Sequence, residues 1–278
     1  MKVRFFVLFL ILISCLNLYS QTRRALVIGL GEQLDRNWPK INGDKDIQYI
    51  MQMLLETGYY YGNIITLINS QATKTNIVSA FRRLAVLCNK DDIVYVHFSG
   101  HGQRITDLNC DENDDWDESW IPYDAYKRYC IMDNGDKHLI DDEINDLLYS
   151  IKKKIGEKGK LLVVVDACHS GDSSKSLNTT IIRGSSSKFV IPGNPFHGTK
   201  KPTESWLTLS ACKNFEYNQE MSLPKVGILS YALFCISKGG HVDMQAIEDF
   251  IKKYKGPLPQ TPILTGETEK YNISDILR

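Results

Sequence analysis

The chain has 278 residues, with 33 Lys+Arg balanced by 33 Asp+Glu, so it carries no net charge. No run of basic residues interleaved with aromatics appears, which removes nucleic acid and an anionic membrane surface as expected partners. The length suits one large α/β domain, and seven cysteines without a CxxC pair give neither a small disulfide scaffold nor a zinc ribbon.

Residues 1–20 read as a secretory signal peptide. Lys2 and Arg4 precede the apolar run Phe5 to Ile13, and small polar residues lead to a cut near Ser20–Gln21. The apolar run is shorter than the ~20 residues of a membrane span, so no transmembrane segment is expected and the product is exported, to periplasm or medium. A rival reading takes Leu12-Ile13-Ser14-Cys15 as a lipobox that anchors the chain through Cys15. Residues 21–278 then form one domain, for which nothing requires more than a monomer.

Within it, Arg24 to Leu30 is a short apolar strand ending at a glycine, and Asp46 to Glu56 places Ile47, Ile50, Met51, Leu54 and Leu55 at helical spacing. Ile64 to Ile68 is a strand and Thr73 to Leu87 a helix. Asp92 to Phe98 is a third strand, broken abruptly by Ser99-Gly100-His101-Gly102. Asp141 to Ile155 is a helix and Lys160 to Val165 a fourth strand, broken at Asp166-Ala167-Cys168. Trp206 to Ala211 is a further strand, followed by helices Val226 to Ser237 and Asp243 to Tyr254. Apolar strands alternating with helices predict a mostly parallel sheet of about six strands with helices on both faces. Ligands of such sheets lie beyond the carboxyl ends of the strands, so His101 and Cys168 are expected at one edge. Gly171 to Glu204, rich in Ser, Thr, Asn, Gly and Pro, reads as a long mobile loop over 172–204. Cys110 and Cys130 are candidates to bridge the acidic loop between them.

A thiol and an imidazole suffice for acyl transfer: the sulfur attacks, and the imidazole protonates the leaving amine and later activates water. Two backbone N–H groups, here those of Gly102 and Cys168, would hold the oxyanion. Ser99-Gly100-His101-Gly102 and Asp166-Ala167-Cys168-His169-Ser170-Gly171 resemble the two signature blocks of the metacaspases, within the caspase-like peptidases. The Asp117–Pro122, Ile140–Glu143, Leu209–Cys212 and Gln260–Pro262 stretches fit the same family, whereas the QACRG of true caspases is missing.

The resemblance implies a caspase-like three-layer α/β sandwich and a cysteine endopeptidase with His101 and Cys168 as catalytic dyad, cutting protein substrates after Arg or Lys. It also implies that Asp166 and Ser99 line the pocket for that residue. Asp46 is the candidate third pocket residue, with a helix N-cap as its alternative role. The family often binds calcium as an activator: Asp117, Asp141 and Asp142 match three ligand positions, Lys175 stands at the fourth, and Asp172 could substitute. The alternative is an acidic loop followed by a helix N-terminus that favours negative charge. No cofactor is needed for the chemistry itself. Arg183 and Lys188, in the loop after the nucleophile, are candidate autocleavage sites. A transpeptidase or ligase of the same fold, and a catalytically silent secreted binding module, are the other functions the pattern allows.

Overall fold

The structure is a computed structural model that describes residues 21–110, 112, 114–168, 181–193 and 205–278. The expected signal peptide, Cys15, Asp172 and Lys175 lie outside the described residues.

In chain order the elements are β1 (Arg23–Gly29), α1 (Gly43–Glu56), β2 (Ile64–Ile68), α2 (Lys74–Leu87), β3 (Ile93–Ser99), β4 (Gly102–Thr106), β5 (Trp116–Trp120) and β6 (Leu139–Ile140). There follow α3 (Asp141–Ile155), β7 (Lys160–Asp166), β8 (Leu207–Ser210), β9 (Glu220–Met221), β10 (Val226–Gly227), α4 (Ile228–Ser237), α5 (Met244–Tyr254) and β11 (Ile263–Gly266). Short 3-10 turns complete the described chain.

The main sheet has six strands in the order β11-β8-β7-β3-β1-β2, all parallel except β11. Because successive strand residues face opposite sides, each buried strand feeds two cores. Ala25, Val27, Tyr95, Leu162 and Val164 meet Ile47, Ile50 and Leu54 of α1, Leu229 and Leu233 of α4, and Ile247 and Ile251 of α5. Leu26, Ile28, Val94, Val96, Leu161 and Val163 meet Ile77, Phe81 and Leu84 of α2 and Ile144, Leu148 and Ile151 of α3. This is the three-layer caspase-like sandwich. Removing one such side chain, as in Phe81→Ala, costs about 3–5 kcal/mol.

Three features differ from the sequence expectation. A second sheet, in the order β4-β5-β6, is built from short strands whose buried residues alternate with partly exposed ones, too brief to give a periodic signal. Cys110 and Cys130 are free thiols. Cys110 is held in a turn by Asp107 Oδ1, while Cys130 pairs with Asp133 in its own tight bridge, so local turn chemistry fixes each separately. Finally, residues 181–193 of the expected mobile loop are packed against the body: Arg183 and Phe189 have no solvent exposure.

Candidate active site

β3 and β7 are neighbours at the centre of the sheet, in a register that sets Ser99 beside Asp166. Each strand runs out two residues before its chemically distinctive side chain, so His101 and Cys168 emerge from adjacent carboxyl ends, both buried.

The His101 ring is fixed on two sides. Its Nε2–H donates to Pro39 O at 2.8 Å, and Trp38 stacks on it with centroids 4.9 Å apart. With the proton on Nε2, Nδ1 is an acceptor, and it accepts the Gly184 N–H at 3.1 Å. Burial pushes the imidazole down to about 4; the Pro39 carbonyl opposes this, and Lys127 and Arg183 reinforce it. His101 is therefore neutral at pH 7. The Cys168 thiol donates to Glu216 O at 2.9 Å. Its neighbour Cys212 has its own thiol pKa pushed well up, first by hydrogen bonding with Cys168 and then by burial.

Gly184 is wedged between the two residues. A Cβ there would lie 2.3 Å from Cys168 O and 3.2 Å from Cys168 Cβ, and its φ of +154° is one that side chains resist.

Gly102 begins β4, paired with Trp120. Ile121 N–H donates to His101 O, which makes Gly102–Trp120 a non-hydrogen-bonded pair of the antiparallel ladder. The Gly102 N–H consequently points away from β5, toward the β4 edge on which residues 184–191 lie.

One buried guanidinium organises the adjoining pocket. Arg183 Nη1 donates to Asp46 Oδ2 at 2.7 Å and to Ser99 Oγ at 2.6 Å, and lies 3.4 Å from Asp166 Oδ1. Its Nε donates to Glu220 Oε1 at 2.9 Å. The backbone before it pairs with β9 and the residues preceding it: Arg183 N–H donates to Asn218 O, and Glu220 N–H to Ile181 O. Asp166 is further held by Asn218 Nδ2, by Ser230 N–H and by Ser230 Oγ–H. Ser230 Oγ in turn meets His97 Nε2 at 3.2 Å, and His97 Nδ1 meets the Tyr95 hydroxyl at 2.9 Å. Asp46 also accepts the Gly227 N–H at 2.8 Å. Gly227 has no room for a side chain, since a Cβ would fall 2.3 Å from Asp166 Oδ2.

Burial works against the Arg183 charge, but Asp46, Asp166 and Glu220 outweigh it and hold the group cationic. Burial lifts the Asp46 carboxyl above its usual range despite Arg183. For Asp166 burial acts in the same sense, but Arg183 and the hydrogen bonds from Ser230 and Asn218 prevail and lower it.

The structure thus brings His101, Cys168, Gly102, Ser99, Asp166 and Asp46 into one site. Asp46 lies inside α1, whose N-cap is Asn42, so the capping role weighed for it does not hold. Of the two autocleavage candidates, Arg183 fills the acidic pocket, whereas Lys188 lies over the Trp116 ring, 3.9 Å from its centroid. Glu220, Trp38, Asn218 and Ser230 are the residues that sequence reasoning missed. Trp38 and Asn218 come from loops, Glu220 from the short strand β9 and Ser230 from the first turn of α4, all joined to the site only by folding, and Glu220 had no motif to mark it.

The acidic residues expected as calcium ligands lie on β5 and at the start of α3. Asp117 is buried in β5, Asp141 and Asp142 open α3, and Asp142 accepts a hydrogen bond from Asn109 Nδ2. Among the described residues no three His, Cys, Asp or Glu side chains form a group that could hold a metal ion.

Against known proteins, residues 23–176 match the family model for the metacaspase, peptidase C14 domain. Metacaspase-1 of Eremothecium gossypii is 33% identical over 166 residues, covering 56% of this chain and 34% of that protein. Metacaspase-1 of Plasmodium falciparum is 30% identical over 214 residues, covering 73% of this chain and 32% of the relative. The chain thus spans about a third of the length of these curated relatives. Among solved structures, a protein from Geobacter sulfurreducens superposes with a TM-score of 0.63 at 23% identity, covering 90% of this chain and 96% of that one. Caspase-1 from Spodoptera frugiperda does so with 0.57 at 11% identity, covering 88% and 86%. At such identities both comparisons speak to the fold alone.

Proposed function

This chain belongs to the metacaspase family (peptidase C14), and from that premise we propose that it is a cysteine endopeptidase that cuts after Arg, and after Lys, and processes itself at Arg183–Gly184. One observation carries the reading: the chain's own Arg183 fills an acidic pocket while the next amide N–H rests on His101 Nδ1. With that side chain bound, the amide that follows it lies on His101 Nδ1 and beside the Cys168 backbone, which supports Arg183–Gly184 as the bond cut.

The steps follow from this arrangement. Rotation about χ1 turns the Cys168 thiol from Glu216 O toward His101. Its proton passes to His101 Nδ1 as sulfur attacks the Arg183 carbonyl carbon. The N–H groups of Gly102 and Cys168 stabilise the oxyanion, a contribution of about 3–4 kcal/mol per donor in comparable sites. Collapse breaks the C–N bond, and His101 hands the proton to the Gly184 nitrogen. Water activated by the now neutral His101 then hydrolyses the thioester. Positioned hydrogen bonds from a cation to carboxylates are strong and directional, which favours Arg and Lys and repels Asp at the same position.

Calcium enters the proposal only as an activator outside these steps. The proposal also includes export, on the strength of the sequence of residues 1–20.

Reporter peptides ending in Arg, Lys or Asp, assayed with and without excess EGTA, test the reading. Cleavage of the Arg and Lys peptides, abolished in Cys168→Ala, is expected. Preferential cleavage of the Asp peptide would overturn it.

A further inference from the structure

Beyond Gly184 the chain does not leave the surface at once. It runs along the open edge of β4 as an added parallel strand: Phe189 N–H donates to Arg104 O at 2.8 Å, and Thr106 N–H to Phe189 O at 3.0 Å. Ile191 N–H continues the contact on Thr106 Oγ1 at 2.9 Å. Gln103 braces the approach, its Nε2 donating to Ser187 O at 2.7 Å while its Oε1 meets His138 Nε2 at 3.1 Å.

Side chains alternate as they must on such a strand. Phe189 is wholly buried against the His138 ring, 4.2 Å between centroids, with Tyr129 at 6.3 Å. Val190 points out, 58% exposed. Ile191 turns in again over Gly135, where a Cβ would come within 2.6 Å of Ile191 Cδ1. Main-chain pairing on an open edge combined with pockets for alternate side chains is a general mode of peptide recognition.

We propose that the β4 edge and the Phe189 pocket form a binding site for the part of a substrate that follows the cut bond. It reads an extended backbone and a large apolar side chain at the sixth residue past the cut, with a second apolar residue at the eighth. Residues 184–191 occupy it in the uncut chain, and a protein substrate takes their place after self-processing. The site rests on the reading of Arg183–Gly184 as the bond cut.

The first test needs no cleavage. The Arg183→Ala, Phe189→Ala chain, whose own segment has lost both buried anchors, is titrated with fluorescent Gly-Ser-Ser-Ser-Lys-Phe-Val-Ile and with its Phe-to-Ala analogue. Binding at least tenfold tighter for the Phe peptide is expected; equal affinities, or binding of neither, overturn the site. The second test gives self-processed enzyme the substrate Ile-Ile-Arg-Gly-Ser-Ser-Ser-Lys-Phe-Val-Ile, the same peptide with Ala for Phe, and one ending three residues past Arg. A kcat/KM at least tenfold lower for the last two is expected. Equal values for all three overturn the site and leave cleavage after Arg standing. Failure to cut any of them counts against the Arg reading, while the binding titration still judges this site.

Discussion

Replacing Arg183 by Ala in an inactive Cys168→Ala background isolates the energetics of the acidic pocket. The guanidinium is fully buried and is the cation shared by Asp46, Asp166 and Glu220. Its removal leaves these carboxylates without a counter-ion, and breaking a buried ion pair from one side costs about 3–5 kcal/mol. A domain of this size loses roughly 2–4 °C of Tm per kcal/mol, so a fall of about 6–20 °C follows. The fall should be smaller at pH 5 than at pH 8. Asp46 is already lifted by burial, and losing its counter-ion lifts it further, so it takes up a proton that relieves part of the repulsion. The peptide amide Ile-Ile-Arg, at about a hundred times its Kd, should restore roughly 2.7 kcal/mol; the same peptide ending in Asp should restore nothing. Calorimetry supplies the melting points, and intact mass of the Cys168-containing Arg183→Ala chain shows whether the 183–184 bond survives. A variant melting within about 1 °C of its parent and indifferent to the Arg peptide, or one still cut at 183–184, would refute the reasoning.

Glu220→Gln should narrow the preference for Arg over Lys. Glu220 receives the guanidinium Nε, a donor that lysine lacks, and a hydrogen bond to a charged group is worth about 1.5–3 kcal/mol. The ratio of kcat/KM values should therefore fall about tenfold or more; an unchanged ratio would remove Glu220 from specificity. A further expectation concerns acid. Burial pushes His97 down to about 4, below its unfolded value of about 6.5. Between those limits the unfolded chain binds the extra proton, so this stability is complete above pH 6.5 and declines as pH falls toward 4. From pH 7 to pH 5 the loss is roughly 2 kcal/mol. Urea midpoints at the two pH values should show a smaller drop in His97→Gln, and an identical drop in both proteins would disprove the assignment.

The elements that strong apolar patterning announces were all legible in the chain: β1, β3 and β7 as buried runs, and α1, α2 and α3 from their 3.6-residue spacing. So were the breaks that follow β3 and β7, because small and polar residues after an apolar strand cannot continue a buried sheet. From them came His101 and Cys168, and with the metacaspase resemblance Ser99, Asp166 and Asp46. The β4-β5-β6 sheet and antiparallel β11 were not legible, since their two to five residues mix buried with partly or fully exposed positions and carry no sustained apolar run. The segment 181–193 misled for the opposite reason. Its Ser-rich composition matches a solvated loop, yet Arg183 and Phe189 bury themselves fully.

The amino-acid order by itself determined which strands are buried, that two reactive side chains follow them, and that acidic residues accompany those side chains. These are properties of local pattern, in which each residue's chemistry is read against neighbours a few positions away. Only the tertiary structure decided which cation the acids hold, that Glu220 joins them across 174 residues from Asp46, and where the chain after Gly184 is laid. Coulomb attraction and strand pairing depend on separation in space, and the folded sheet, with β3 beside β7, sets that separation.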